Sequence, residues 1–115
     1  MSDESDPFLF DEMHDAAARI ADYIGAGGEA EFMRQTIVYD AVRMNLLRIG
    51  ECARFLSPGL KSRLPDIPWP DLVNLRTRLA HSYETLKPGL LWQIACSSVP
   101  AALAAIETEL SARKT

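Results

Sequence analysis

Apolar residues recur at helical spacing along most of the chain, and no stretch alternates as a strand does. The first stripe keeps spacings of three and four and comprises Leu9, Met13, Ala16, Ile20 and Ile24. Before it, Asp6-Pro7 reads as an N-cap followed by proline in the first helical turn. The glycine-rich stretch 25–28 then supplies residues that suit a left-handed cap. The pattern predicts a first helix between these two signals.

A second helix is predicted from about Glu29 to about Leu56, a stretch without proline. It carries two apolar lines, one through Val38, Val42, Ile49, Ala53 and Leu56 and the other through Phe32, Met44, Leu47 and Phe55. A helix with two such lines contacts more than one neighbour. It is either the central helix of a bundle or a helix shared with a second subunit.

Proline and glycine then interrupt the helical pattern. Residues 57–59 end the second helix, a short helical turn is predicted across 60–64, and the proline-rich stretch 65–70 is predicted to be extended. Trp69 in that stretch is interpreted as a hydrophobic anchor, with a binding role as the alternative. A third helix follows from about residue 70.

The last helix is predicted from Pro88 to about Arg113, because its apolar residues keep one helical phase through Pro100. A proline inside a helix kinks it, so a kink is expected between Cys96 and Pro100. The chain therefore reads as one all-α domain over residues 1–115, an antiparallel bundle of four to five helices. Residues 1–6 are expected to form a disordered tail.

Composition adds limits to this picture. The chain has 115 residues, of which 48% are hydrophobic, and a formal net charge of -4. This balance argues against broad, non-specific coating of nucleic acid. No apolar run approaches the roughly 18–20 residues of a membrane span, and no signal peptide opens the chain. Cys52 and Cys96 are solitary and are interpreted as buried free thiols, so we expect a cytoplasmic location.

The candidate chemistry is concentrated in residues 74–83. This stretch contains Arg76, Arg78, His81 and Tyr83. An arginine can hold a phosphate through two parallel donors, and a histidine can exchange a proton near neutral pH. No Cys, Asp or Glu accompanies them at metal-ligand spacing. The set suits RNA cleavage, in which the ribose 2′-OH is the nucleophile, although an Arg and a His five positions apart are also common on solvated helices.

Helical geometry leaves two questions open. His81 lies about 140° around a helix from Arg76, so either Arg76 reaches round or the helix ends near His81 and turns the imidazole back. We favour the second arrangement. Asp40 and Glu51 are eleven positions apart and share a helix face. They are either two solvated carboxylates or residues that line a site beside Arg76 and His81.

Residues 76–83 resemble the R-x4-H-x-Y motif of the HEPN superfamily, in its HepT toxin branch. The resemblance extends to other stretches of the chain in order and spacing, namely Asp40-Ala41-Val42, Ile49-Gly50-Glu51, Pro65-Asp66-Ile67-Pro68-Trp69 and Trp92. It covers about Phe8 to Leu110. The motif by itself is a weak signal, but the ordered set is a strong one.

The resemblance implies a helical bundle that forms a homodimer, with two copies of the motif in one cleft. It further implies a metal-independent endoribonuclease, without a cofactor, that acts as the toxin of a type VII-like toxin–antitoxin pair. By the motif match, His81 is the general acid and base and Arg76 stabilises the phosphate and the transition state. Arg78 and Thr77 are offered as auxiliary RNA contacts.

The resemblance also implies a control mechanism. In this branch a minimal nucleotidyltransferase antitoxin transfers AMP from ATP to the motif tyrosine, which is Tyr83 here. The alternative interpretation of Tyr83 is a half-buried ring with a hydrogen-bonded hydroxyl. Two positions depart from the pattern: Thr77 stands where Asn or Asp is common, and Leu86-Lys87 replaces an Ile-Asp pair.

Two other hypotheses remain open beside the toxin. One is a non-catalytic HEPN module that binds a nucleotidyltransferase partner or a nucleotide, and the other is an assembly bundle without a site. The acidic balance of the chain fits an RNA substrate poorly. We therefore expect positive charge to concentrate around the paired Arg76, Arg78 and His81, and a uniformly acidic cleft would argue against the enzyme.

Overall fold

The computed structural model describes residues 4–25, 28–81 and 88–113, with the side chains of residues 76, 78, 80, 81, 88–90 and 113 outside the description. The helices are α1 Asp6–Gly25, α2 Gly28–Arg34, α3 Thr36–Phe55, α4 Pro58–Arg63, α5 Trp69–His81, α6 Pro88–Cys96 and α7 Ser98–Arg113. No strand occurs among the described residues. The all-α bundle predicted from the sequence is confirmed.

The core lies where the apolar stripes predict it. Met13, Ala16 and Ile20 of α1 are fully buried, as is the line through Val42 and Ala53 of α3. α3 makes its most extensive contacts with α1 on one side and α5 on the other. It is therefore a central helix of the bundle, the first of the two arrangements predicted for it.

The predicted second helix is wrong in one respect, because the chain leaves helical geometry at Gln35. This residue has φ -100° and ψ 106°, an extended conformation that separates α2 from α3. Neither proline nor glycine marks the position. The packing around Phe32 gives the physical reason. Its ring is buried and lies 5.7 Å from the Tyr39 ring and 5.2 Å from the Trp92 ring of α6, so α2 turns toward α6.

The last predicted helix is divided rather than only kinked. α6 and α7 meet at Ser97, within the predicted range. Pro100 lacks a backbone N–H, and the next hydrogen bond along the chain, from Ala101 N to Ser97 O, is stretched to 3.4 Å. Both cysteines are free thiols; Cys52 is buried as predicted, but Cys96 is exposed, so that part of the prediction is wrong.

A buried carboxylate joins the beginning of α1 to the beginning of α4. Asp6 is 2% exposed and accepts hydrogen bonds from Ser57 N at 3.0 Å and from Ser57 Oγ at 2.5 Å. The same Oγ accepts from Leu60 N at 3.2 Å and caps α4. Asp6 is also the first residue of α1, so this residue of the predicted tail belongs to a helix. Of the rest of the predicted tail, residues 4 and 5 form a turn and residues 1–3 lie outside the description.

Trp69 anchors the beginning of α5. The indole is 8% exposed, and its Nε1 donates to Leu64 O at 2.9 Å. The Lys61 ammonium lies 6.0 Å from the ring centroid. The predicted hydrophobic anchor is confirmed, although α5 begins at Trp69 itself rather than after it. α4 and the following linker separate α3 from α5, and α5 packs along α3, with Leu79 of α5 beside Arg43 of α3.

Candidate functional site

The motif residues belong to the second half of α5. Leu72, Leu75 and Leu79 are buried at spacings of three and four, so they hold the helix against the core. Thr77 is exposed between them. The described part of α5 runs to His81, and residues 82–87 lie outside the description. The predicted end of the helix near His81, and the orientation of its imidazole, therefore stay predictions.

Several predicted site groups lie outside the described part of the chain. These are the side chains of Arg76, Arg78 and His81, together with the whole of Tyr83 and of the segment 82–87. Their mutual geometry, and the predicted concentration of positive charge around them, stay predictions. Arg76 and His81 are nevertheless both residues of the last two turns of one helix, whose position in the bundle is defined by its buried leucines.

An arginine from α3 contacts this end of α5. Arg43 donates from Nη2 to the backbone carbonyl of Leu79 at 3.0 Å, and its side chain is partly buried. Leu79 is two residues before His81. Sequence reasoning missed Arg43, although it directly follows the Asp40-Ala41-Val42 stretch, because an arginine on a long helix is ordinary and only the tertiary fold brings the two segments together.

The two predicted carboxylates lie in different surroundings. Asp40 is exposed and precedes Arg43 by about one turn, so it lies toward the end of the bundle where α5 ends. Glu51 is partly buried and lies eight residues beyond Arg43, roughly 12 Å along α3. It contributes to a groove between α1 and α3 with a volume of about 330 Å³, lined by Phe8, Leu9, Glu12, Met44, Leu47, Arg48, Glu51 and Cys52.

Charged groups along this groove hold α1 to α3. Arg48 donates to Glu12 Oε2 at 2.6 Å and to Asp15 Oδ2 at 3.2 Å. A hydrogen bond from Arg19, supported by the one from Arg48, lowers the pKa of Asp15. Burial raises the pKa of the Cys52 thiol, which keeps it protonated and poorly nucleophilic. These groups serve packing between helices.

Two further properties concern ligands and membranes. Within residues 4–25, 28–81 and 88–113, no group of three or more His, Cys, Asp or Glu side chains is placed to share a metal ion. The part of the chain that the structure describes also contains no helix of the length and apolarity that a membrane crossing requires.

Comparison with known proteins places the chain in a family. Residues 13–109 match the family model described as "Ribonuclease HepT-like". A protein of Methanocaldococcus jannaschii named as a "putative RNase" is 34% identical over 70 residues, covering 61% of this chain and 64% of the relative. A second protein of that organism with the same description is 30% identical over 77 residues, covering 67% of this chain and 64% of the relative.

The matched region thus spans slightly less than two thirds of the length of either relative. No solved structure matches the chain. The family match covers most of the sequence, including all of α2 to α6 and the complete R-x4-H-x-Y stretch on and after α5. The chain belongs to the HepT-like ribonuclease family.

Proposed function

We propose that this protein is a metal-independent endoribonuclease and the toxin of a type VII-like toxin–antitoxin pair. The observation that carries the proposal is the Arg76-x4-His81 motif at the end of α5, in a chain whose residues 13–109 match a ribonuclease family. The names of the two relatives, both putative RNases, support the same reaction. A cytoplasmic location follows from an RNA substrate and remains part of the proposal.

In the proposed reaction the ribose 2′-OH attacks the adjacent phosphorus. One His81 imidazole accepts the 2′-OH proton, and a protonated imidazole donates a proton to the departing 5′ oxygen. The products are a 2′,3′-cyclic phosphate and a free 5′-OH. Arg76 neutralises the charge that accumulates on the phosphate oxygens in the transition state. Arg78 and Thr77 are assigned to contacts with flanking RNA, and the exposure of Thr77 is compatible with that role.

The two imidazoles come from two subunits in this proposal. Its support is a set of large apolar side chains exposed near the outward side of α3, comprising Phe8 at 65%, Met44 at 58%, Phe55 at 57% and Ile37 at 79%. Phe8 and Met44 line the same groove between α1 and α3, and exposed apolar surface of this kind is typical of a protein–protein interface. Leu47, which lines the α1–α3 groove with Met44, is about 40° around α3 from Arg43, which contacts α5. A twofold-related copy seated here therefore lies beside the ends of both α5 helices.

The antitoxin in this proposal is a small nucleotidyltransferase. It transfers AMP from ATP to the hydroxyl of Tyr83, forming a phosphodiester and releasing pyrophosphate. Tyr83 is two residues after His81, so the added nucleotide occupies the cleft. Its negative charge repels the RNA phosphates. Asp40, exposed at this end of the bundle, is assigned to the border of the same cleft, and Glu51 to support of the α3 surface beneath it.

The test combines growth and intact mass. The protein is expressed with and without its neighbouring gene, as wild type, His81→Ala and Tyr83→Phe. We expect toxicity of the wild type alone, loss of toxicity in His81→Ala, and mass gains in AMP units on co-expression that vanish in Tyr83→Phe. Toxicity that persists in His81→Ala contradicts the enzyme, and absence of both toxicity and mass gain favours a non-catalytic binding module.

A further inference from the structure

A small pocket lies where α2 meets α3. It has a volume of about 200 Å³ and is lined by Phe32, Met33, Gln35, Thr36 and Tyr39. We infer that this pocket holds one unpaired nucleobase of the RNA, beside the phosphate that is cleaved. The inference rests on the proposed ribonuclease function and adds to it a subsite for single-stranded RNA, built from residues outside the motif.

The break between the two helices forms this pocket. Gln35 has an extended backbone, with φ -100° and ψ 106°, so the helix is interrupted and side chains from both of its parts line one recess. The volume is below the roughly 300–1,000 Å³ of pockets that enclose a drug-sized ligand. The recess therefore suits one planar ring system rather than a complete nucleotide.

The lining matches both the face and the edge of a nucleobase. Tyr39 is half-buried, and its ring packs against the buried Phe32 ring at a centroid distance of 5.7 Å and an angle of 46°. Bases of single-stranded RNA stack on aromatic side chains held in this way. The Gln35 amide donates one hydrogen bond to the Glu31 carboxylate. Such an amide also has a second N–H and a carbonyl oxygen, which suit the polar edge of a base.

Two connections join the pocket to the motif helix. Tyr39 precedes Arg43 by about one helical turn, and Arg43 donates to the Leu79 carbonyl, two residues before the motif histidine. On the other side of the pocket, the Trp92 ring lies 5.2 Å from the Phe32 ring. Trp92 belongs to α6, which begins seven residues after the motif histidine. A base in the pocket and a phosphate at the motif can therefore belong to one short stretch of RNA.

The experiment compares Tyr39→Leu and Tyr39→Phe with the wild type, as full-length protein, on a short single-stranded RNA. Binding is measured on the same RNA with a 2′-deoxyribose at the cleaved position, which removes the nucleophile. We expect Kd and KM to rise about 5- to 100-fold in Tyr39→Leu, the range for loss of one stacked base, with kcat nearly unchanged. Tyr39→Phe keeps an aromatic ring and should stay within about threefold of the wild type.

Tyr23→Leu is the matched control. Tyr23 is a half-buried tyrosine of α1 and is not among the residues that line the pocket. This variant should bind RNA as the wild type does, because it loses a similar packing contact but no contact with a base. An unchanged Kd in Tyr39→Leu, or equal losses in Tyr39→Leu and Tyr23→Leu, overturns the inference.

Abasic RNA identifies the base that occupies the pocket. Each nucleotide beside the cleaved bond is replaced in turn by an abasic ribose. At one position the wild type should lose the same factor in Kd that Tyr39→Leu loses on intact RNA, and Tyr39→Leu should lose nothing more there. A wild type that binds every abasic RNA as tightly as intact RNA overturns the subsite, even where Tyr39→Leu folds poorly. Cleavage that survives in His81→Ala contradicts the proposed function instead, so the two failures are distinguishable.

Discussion

The first turn of α5 and its last described turn are held in different ways. At the beginning, the Trp69 indole is buried and donates to Leu64 O, five residues earlier in the chain. In the last described turn, the Leu79 carbonyl accepts from Arg43 on α3, 36 residues away. The first contact combines an apolar ring with a local hydrogen bond, and the second is a polar contact that exists only in the folded bundle.

This difference separates stability from activity along one helix. Burial of a large aromatic ring contributes several kcal/mol to folding, roughly in proportion to the area removed from water. A single hydrogen bond, such as the one from Arg43 to the Leu79 carbonyl, contributes less, about 1 kcal/mol. We therefore expect changes near Trp69 to affect the free energy of unfolding and changes near His81 to affect the rate of RNA cleavage.

The largest expected effect is on catalysis at the end of α5. His81→Gln should lower kcat for RNA cleavage by about 10²- to 10⁴-fold, because glutamine cannot transfer a proton. The thermal midpoint should be nearly unchanged. His14→Gln is the matched control, since His14 is the other histidine and lies 3.5 Å from Glu107. Equal losses in the two variants would show that the motif histidine has no special role.

The next effect is on stability at the beginning of α5. Trp69→Ala should lower the free energy of unfolding by about 3–5 kcal/mol, because it opens a cavity beneath the linker. Trp69→Phe keeps most of the ring but leaves the Leu64 carbonyl without the indole donor, so a smaller loss of about 1 kcal/mol is expected. Chemical denaturation measures both values.

RNA cleavage by Trp69→Phe tests whether the two parts of α5 are independent. The fraction of Trp69→Phe that is folded should cleave RNA at the wild-type kcat, because Leu79, near the motif histidine, is held separately by Arg43. A large fall in kcat with little loss of stability would show that the two ends of α5 are not independent.

A smaller loss of stability is expected where α1 meets α4. Ser57→Ala removes the cap of α4 and one of the hydrogen bonds to the buried Asp6 carboxylate. The free energy of unfolding should fall by about 1–2 kcal/mol. Ser62→Ala is a suitable control, since Ser62 is an exposed serine of the same helix. Similar denaturation midpoints for the two variants would contradict the role of the cap.

The smallest effect concerns pH. Arg19 and Arg48 lower the pKa of Asp15 below its ordinary value of 3.8. A carboxyl with a depressed folded-state pKa contributes stability above its unfolded pKa, and this contribution is lost as the pH falls through the folded value. Between about pH 5 and pH 2, the wild type should therefore lose slightly more stability than Asp15→Asn.

Ionic strength tests whether the difference in pH-dependent stability between the wild type and Asp15→Asn comes from the ion pair. Because the Asp15 carboxylate is at the surface, its interaction with Arg19 is screened by ions. The difference between the two pH profiles should shrink at high ionic strength. Parallel profiles at low salt would mean that the ion pair contributes nothing to folding.

Much of the fold follows from patterns that are local in sequence. The stripe of α1, the cap at Ser57 and the anchor at Trp69 each depend on residues within one or two turns of one another. The break at Gln35 depends instead on a distant contact, because it arises from the packing of Phe32 against Trp92, 60 positions away. The exposure of Cys96 likewise depends on which neighbours α6 meets.

The sequence by itself determined the helical class, most helix boundaries and the residues that carry the family motif. Amphipathic periodicity, proline and capping groups act within a few residues, and this makes them readable from the chain. Only the tertiary structure decided that Arg43 contacts Leu79 of α5, that Glu51 lines the α1–α3 groove, and that the helix breaks between α2 and α3. Contacts between distant segments depend on how whole helices pack, which no local pattern specifies.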